Sequence, residues 1–574
     1  MGSEKLGVSK DRPYSISSLV GDLNESVRDV QESLRRLFEA FKASEIAGTP
    51  REQAIKLFNE WLRRSQLPTL DDVMHFAKNV FKKATRVEEI YKELTEKLPF
   101  NEERVKEFVD KVEADRRRGR NLEEALAEHL WELYESHVHN FLQQTAHVVV
   151  GRLLLYKVGI DKGVFDRVQM PPQPKPYLEL HHTVRKRMED LVPGVYALTE
   201  FDWWYVPDVY LGTLSDEQRA LLNSIEEQLD KALARVIKRI EKYDFAQVDR
   251  DVWKDIYLQY LPEEERRKLG FVPTPDEVVE LILDLVGYDE KQEGLCQRKL
   301  LDPACGSGTF LVEAVRRLRK HLELDERCHA GIRTRSTPEW ERKRAMLGII
   351  SGAVYGIDIH PFATFLTTLN ILFQLIDLYV EVKRYYPDYV LRLRVVTHDA
   401  LALEIPLSEY QGEIINARLK EALRRSMEYR EISNMKFDYV VGNPPWGGVL
   451  RGKLGPLGNS AKREEYRRGY ESATGKFDIY VLFIERGLKW LKEGGTLGMI
   501  TQITYLDSDF GRGIRKYIKN NATVTHLTDL SSIGDVIFPG FTNYPAITIA
   551  KKIKPPDGAR LIRVKVEKEG GKGA

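Results

Sequence analysis

The chain has 574 residues, 42% hydrophobic and 30% charged, with 88 Lys and Arg against 87 Asp and Glu and a formal net charge of +1. Such a composition describes a globular protein with ample length for a sizeable core. It excludes any argument for a nucleic-acid partner from overall charge; a local basic surface would be needed. No apolar run approaches the roughly 20 residues that span a bilayer, and the polar Met1 to Lys10 lacks the apolar centre of a secretion signal. Cys296, Cys305 and Cys328 are the only cysteines. They show no paired zinc spacing, and three is an odd number for a disulfide framework, so a reducing cytoplasm, no metal and no membrane are expected.

From about Val20 to Leu98 the pattern is helical: Val30, Leu34, Leu37 and Phe41 recur at three- and four-residue spacing among charges. A further helical stretch runs from about Leu122 through Leu155. Pro171, Pro172, Pro174 and Pro176 then mark a loop or linker. The aromatic group Phe201, Trp203, Trp204 and Tyr205 reads as core. Ser215 and Gln218 form a capping-box pattern ahead of the stripe Leu222, Ile225, Leu229, Ala232, Val236 and Ile240. Residues 1–245 are therefore expected to be mainly helical. His181-His182 and His137-Val138-His139 have no further metal ligand near them in sequence.

After residue 245 strand-like runs alternate with helical ones. Strands are predicted at 299–301, 353–357, 394–397, 437–441, 496–500, 523–528 and 546–550, with helices at 478–491 and 510–520 among the connections. Alternation of this kind predicts an α/β domain over 246–555: a mostly parallel sheet with helices on both faces, and an antiparallel addition near the end. Residues 556–574 read as a basic tail.

Two stretches in this half carry chemistry. Asp302-Pro303-Ala304-Cys305-Gly306-Ser307-Gly308-Thr309-Phe310 follows a short apolar strand and opens a helix. Gly306 and Gly308 allow a tight bend and close approach of backbone to a ligand. Asp302 can accept from an ammonium. The next two strands end in Asp358, followed by Ile359, and in Asp399, followed by Ala400. A carboxylate at 358 can bind two ribose hydroxyls, Ile359 can cover an adenine face, and Asp399 can accept from an adenine amino group. The second stretch, Asn443-Pro444-Pro445-Trp446, follows the strand at 437–441. An aromatic amine is a poor nucleophile because its lone pair is delocalised. The Asn443 side-chain oxygen and the Pro444 carbonyl can accept its two N–H bonds and draw the nitrogen toward tetrahedral geometry. Pro445 stiffens the backbone, and Trp446 can stack on the target ring.

In this order the two stretches resemble the gamma-class N6-adenine DNA methyltransferases of restriction-modification and phage-defence systems. The resemblance runs from about Val248 to Ala550. Leu269-Gly270-Phe271-Val272-Pro273-Thr274-Pro275 is similar to the family's leading motif, and Asp251-Val252-Trp253-Lys254-Asp255-Ile256-Tyr257 to the approach to it. Gly475-Lys476-Phe477-Asp478-Ile479-Tyr480 is similar to the opening of the helix after the catalytic loop. Val536-Ile537-Phe538-Pro539-Gly540-Phe541 is similar to the late motif whose aromatic stacks on a flipped base. The resemblance implies a Rossmann-like fold, S-adenosyl-L-methionine as cofactor and double-stranded DNA as substrate. It assigns Thr274 to the methionine carboxylate and Phe538, then Phe541, to base stacking. Asp302, Ala304, Gly306, Gly308, Phe310, Asp358, Ile359, Asp399 and Ala400 are the expected cofactor residues. Asn443, Pro444, Pro445 and Trp446 are the expected catalytic ones.

Three departures stand out. Val272 replaces the usual aromatic. The recognition domain expected after the late motif is absent before Ala574, so specificity is expected in a separate specificity or defence subunit, in the N-terminal region or in a further portion of the protein. No Asp…Glu-x-Lys constellation occurs in 1–245, so no cleavage activity is expected. Residues 451–476 hold Arg451, Lys453, Lys462, Arg463, Arg467, Arg468 and Lys476 among glycines, and read as a mobile loop that closes on DNA phosphates. Arg116-Arg117-Arg118 and the tail from Lys551 read as ordinary surface. Two rivals remain: the same chemistry on RNA or a protein glutamine amide, and a non-catalytic DNA-binding scaffold.

Overall fold

The computed structural model describes residues 5–9, 12–65, 67–172, 174–206, 208–246, 274–325, 328, 337–403, 416–446, 460–539, 544–556 and 562–566. The chain opens with an antiparallel hairpin, β1 (Lys5–Ser9) and β2 (Arg12–Ser15), which the sequence pattern did not suggest. Eleven helices follow in the first 246 residues among those described. The longer ones are α1 (Ile16–Lys42), α2 (Thr49–Arg64), α3 (Leu70–Lys83), α4 (Val87–Lys97), α5 (Glu102–Arg117), α6 (Leu122–Leu133), α7 (Glu135–Asp161), α8 (Pro176–Met188) and α11 (Asp216–Ile240). Local chemistry sets their starts. Thr69 and Asp72 form a reciprocal capping box on α3, and Ser215 and Gln218 form the predicted one on α11. Pro176 sits in the first turn of α8, where its missing N–H costs nothing.

Helix α7 is the axis of this region and is buried on every side between Gln144 and Gly159. Its Arg152 is 1% exposed, yet it is well partnered: it pairs with Asp202 at 2.7 Å and donates to the carbonyls of Val195 and Ala197, both at 2.9 Å. Phe201, Trp203 and Trp204 are buried, as the core reading of that aromatic group requires, and the Trp203 indole donates to Thr145 Oγ1 at 3.1 Å.

The second half forms an eight-stranded sheet in the order β10-β8-β9-β7-β6-β3-β4-β5. The strands are β3 (Leu300–Asp302), β4 (Val354–Asp358), β5 (Arg394–Thr397), β6 (Phe437–Gly442), β7 (Leu491–Gln502), β8 (Thr523–Asp529), β9 (Pro545–Lys551) and β10 (Ile562–Lys565). β3 to β7 run parallel, and β9 pairs antiparallel with both β7 and β8. This is the predicted α/β class with its late antiparallel addition, to which β10 adds a parallel edge strand within the expected tail.

Alternate residues along the strands feed two cores. Leu300, Tyr439, Val441 and Ile500 face one, together with the helices Asp276–Val286, Thr309–Leu324, Glu339–Ala353 and Pro361–Tyr385. Leu301, Val440, Leu497 and Met499 face the other, with the helices Asn416–Asn434, Ser460–Gly469, Ile479–Trp490 and Arg512–Asn521. The first core continues without a break into the helical region before residue 246. The helical region is seated on the helix Pro361–Tyr385: Phe201 meets Phe362 edge-on at 5.9 Å, and His360 at its N-terminus contacts Trp61 and Ser65.

Two expectations are corrected. The helix Pro361–Tyr385 is, at 25 residues, long and apolar enough to cross a membrane, although the polar residues dispersed along it hid this. It is a core helix, with 89% of its most apolar window buried inside the fold. And the odd cysteine count does not prevent pairing: Cys296 and Cys328 form a disulfide, leaving buried Cys305 as the free thiol.

Candidate active site

β3 and β6 are neighbours in the sheet although about a quarter of the chain separates them, with Leu300 opposite Tyr439 and Leu301 opposite Val440. The chain builds outward from β3 through β4 to β5, then returns to start the other half at β6. Reversal points of this kind leave a crevice beyond the carboxyl ends of the strands. The glycine turn after β3 and the Asn-Pro-Pro-Trp stretch after β6 both stand at that edge.

The turn bends where Gly306 (φ 54°) and Gly308 (φ 91°) take left-handed conformations. A Cβ on Gly308 would lie 2.9 Å from the Thr367 side chain, so the bend is also pressed against its neighbour. Among the described residues, nothing lies within 4 Å of where a Cβ on Gly306 would stand. Asp302 Oδ1 accepts from the Ala304 N–H at 3.0 Å. Asp358 at the end of β4 accepts from the Gly306 N–H at 2.9 Å and the His360 N–H at 2.8 Å, tying the second strand to the bend of the first. From the helix Pro361–Tyr385, Thr367 donates to the Gly306 carbonyl at 2.8 Å and Asn370 to the Ser307 carbonyl at 3.0 Å. Neither residue was singled out in the sequence. The available signal was their polarity, three residues apart on one face of a largely apolar helix.

Burial pushes the Asp302 carboxyl up to about 8, with the nearby Asp358 charge adding to the effect, and pushes Asp358 up to about 6. Asp302 is 1% exposed and no cation among the described residues pairs with it. Asp399, after β5, accepts from the Leu401 N–H at 2.8 Å and faces Lys462 Nζ at 3.4 Å, so the expected acceptor already shares a cation. Phe310 and Ala400 are buried, while Ala304 and Ile359 are half-buried at the same edge.

Gly442 ends β6 with its Cα so close to Asp302 that a Cβ would lie 2.7 Å from Oδ1. Glycine there brings the start of the Asn443-Pro444-Pro445-Trp446 stretch against the glycine turn after β3. Asn443 Nδ2 donates to Thr274 Oγ1 at 3.1 Å, which turns the amide oxygen away from Thr274. Trp446 is half-buried, and its ring meets Phe538 edge-on with centroids 5.0 Å apart. Phe538 is 1% exposed. The residue to which the resemblance assigns base stacking is thus buried edge-on against Trp446.

The basic segment also differs from expectation. Residues 460–469 are a helix, not a loop, with Tyr466 buried beneath it and Lys462 near Asp399. Arg467 and Arg468 are exposed on this helix, Arg467 pairing with Glu464 at 2.6 Å, and Lys476 is exposed beyond it. Arg451 and Lys453, Phe541, and the two leading stretches at 251–257 and 269–273 lie outside the described residues. Arg116 and Arg118 are paired with Glu113 and Asp115.

Residues 248–385 match a family model described as N-6 DNA methylase, and residues 353–536 one described as Eco57I restriction-modification methylase. The type II methyltransferase M.XhoI of Xanthomonas vasicola is 28% identical over 51% of this chain and 44% of its own length. The adenine-specific methyltransferase PglX of Streptomyces coelicolor is 28% identical over 48% of this chain and 23% of its own. The chain thus spans less than half the length of these two relatives. The methyltransferase subunit of a type I restriction-modification system from Streptococcus thermophilus is 16% identical, with a TM-score of 0.43 over 98% of this chain and 89% of that one. The turn after β3 lies inside the residues that match the N-6 DNA methylase model, and the tetrapeptide after β6 inside those that match the Eco57I restriction-modification methylase model.

Proposed function

We propose that this chain is an S-adenosylmethionine-dependent DNA methyltransferase that methylates N6 of an adenine flipped out of double-stranded DNA, in a restriction-modification or phage-defence system. The observation that carries the reading is the contact of Gly442 with Asp302, which puts the amine clamp beside the cofactor turn. The donor chemistry of the turn fits S-adenosylmethionine. A buried carboxylate with no cation beside it among the described residues suits the methionine ammonium, and the space before Gly306, which none of those residues fills, leaves room for a ligand against the backbone. Asp302 and Thr274 would hold the amino-acid portion, Asp358 the ribose, and Ile359 and Asp399 the adenine. Bound there, the cofactor supplies an electrophilic methyl group.

The chain's own part is orientation. With its amide nitrogen held by Thr274, Asn443 offers its oxygen to one amino N–H of the target, and the Pro444 carbonyl takes the other. These two acceptors localise the nitrogen lone pair. Trp446 stacks on the base, and Phe538 seats Trp446. A base in a duplex cannot reach this clamp, so it must leave the stack. The exposed Arg467, Arg468 and Lys476, with Arg451 and Lys453, are proposed to hold the flanking phosphates. A separate specificity or defence subunit would choose the target site, and the reading places the enzyme with the DNA in the cytoplasm.

Labelled S-adenosylmethionine offered to DNA, RNA and protein extracts tests the proposal. The expected outcome is label in DNA alone, as N6-methyladenine. Asn443→Ala should lower transfer by roughly a hundred- to a thousandfold while cofactor binding persists. Label in RNA or on glutamine would replace the substrate, and full transfer by Asn443→Ala would end the role of that residue.

A further inference from the structure

The disulfide joins the two ends of the unit that carries the cofactor turn. Cys296 lies in a short 3-10 turn (Leu295–Gln297) just before β3, and Cys328 lies just past the helix Thr309–Leu324. In the last turn of that helix His321 is 2% exposed. Its Nδ1 lies 2.8 Å from the Glu290 carbonyl, an acceptor only, so Nδ1 carries the proton and Nε2 presents its lone pair. Nε2 lies 3.3 Å from Cys328 Sγ. A disulfide sulfur has no proton to give, so this buried acceptor receives no hydrogen bond from the sulfur it faces.

The donor atoms of Cys296, His321 and Cys328 lie within 4.8 Å of one another, and Asp325 Oδ2 is 3.9 Å from the same Nε2. With metal–sulfur bonds of about 2.3 Å and metal–nitrogen bonds of about 2.0 Å, donors of a tetrahedral zinc site stand about 3.5 Å apart. The imidazole is therefore already at ligand spacing. A ring whose far N–H is tied to a backbone carbonyl is the usual orientation of a ligating histidine.

We propose that Cys296, His321 and Cys328, with Asp325 as the fourth donor, form a zinc-class metal site that becomes available when the disulfide is reduced. A dithiol supplies two electrons and two protons: the S–S bond breaks, two thiols form, and the dithiol closes to its own disulfide. Binding of Zn²⁺ then displaces the two thiol protons. The clip across the cofactor-turn unit persists in both states, covalent in one and coordinate in the other.

The full chain is reduced with dithiothreitol, desalted without air and titrated with Co²⁺, beside the unreduced chain. The expected result is one equivalent bound by reduced protein only, with a thiolate-to-cobalt charge-transfer band and tetrahedral visible bands that Zn²⁺ abolishes. Cys328→Ser should remove both bands. His321→Asn should weaken binding by more than the tenfold to hundredfold typical of outer-shell changes. Absence of these bands in the reduced chain, their survival in Cys328→Ser, or full affinity in His321→Asn would each overturn the assignment.

Discussion

Asp302 shows how one buried group ties protonation to ligand binding. Burial pushes its carboxyl up to about 8, against an ordinary value of 3.8. Below about 8 it is neutral, whereas an ammonium ligand requires the carboxylate. Cofactor binding should therefore release a proton and weaken as pH falls from about 8 toward 6, by up to about tenfold per unit. Calorimetry with S-adenosylhomocysteine in buffers of different ionisation enthalpy checks this, and Asp302→Asn should flatten the profile. The stability effect has the opposite sign: a raised carboxyl pKa penalises the fold above about 8 and relieves it as pH falls toward the unfolded value. Asp302, Asp358 and Asp399 were legible because each closes an apolar run beside a glycine or turn signal. The Cys296–Cys328 pairing was not, because it depends on the helix Thr309–Leu324 returning its far end to the start of β3, a property of tertiary path rather than of spacing.

At the scale of elements, the helix Pro361–Tyr385 supports the bend rather than touching the proposed substrate. Thr367→Val keeps the shape and removes the hydrogen bond to the Gly306 carbonyl, at a cost of about 1 kcal/mol or more for the orphaned acceptor. Cofactor affinity should fall about fivefold to tenfold, with little change in the transfer step once cofactor saturates. A titration with cofactor at fixed DNA separates the two. On the other face, the helix Ser460–Gly469 was read as a loop because glycines surround it. Its interior, Lys462-Arg463-Glu464-Glu465-Tyr466-Arg467, has the three-residue charge pairs and buried aromatic of a surface helix. Reversing Arg467 and Arg468 to Glu should weaken DNA binding and lower the slope of log affinity against log salt by about two. Anisotropy titrations across salt would show it; unchanged affinity would remove the helix from the DNA surface.

Over the whole molecule, the boundary near residue 245 read from composition separates textures, not cores. α2 and α7 cover the helix that cradles the cofactor turn: Gly151 meets Phe365, and Ser65 contacts the His360 ring at 3.0 Å. Arg64 reaches buried Glu200 at 2.5 Å, with Arg425 of the far face 4.0 Å from the same carboxylate. Burial holds His360 down at about 4, so it stays neutral in the fold, accepting from the Phe362 N–H through Nδ1 and donating to Ser65 through Nε2. A chain beginning at residue 246 would expose Phe362, Phe365 and Leu369 together. It is expected to aggregate, as size-exclusion chromatography would show, while the full chain stays dispersed. Composition could not reveal this dependence, because a helix that is buried on all sides reads alike whether sheet or helices cover it.

The return of the chain from β5 to β6 also loosens the tie between gene order and chemistry. The glycine turn and the Asn-Pro-Pro-Trp stretch meet because their strands are neighbours, not because one precedes the other. A chain that met the tetrapeptide strand before the glycine-turn strand, but kept the two side by side, would bring the same two stretches to one edge. Circular order is thus a free variable of this architecture, whereas strand adjacency is not.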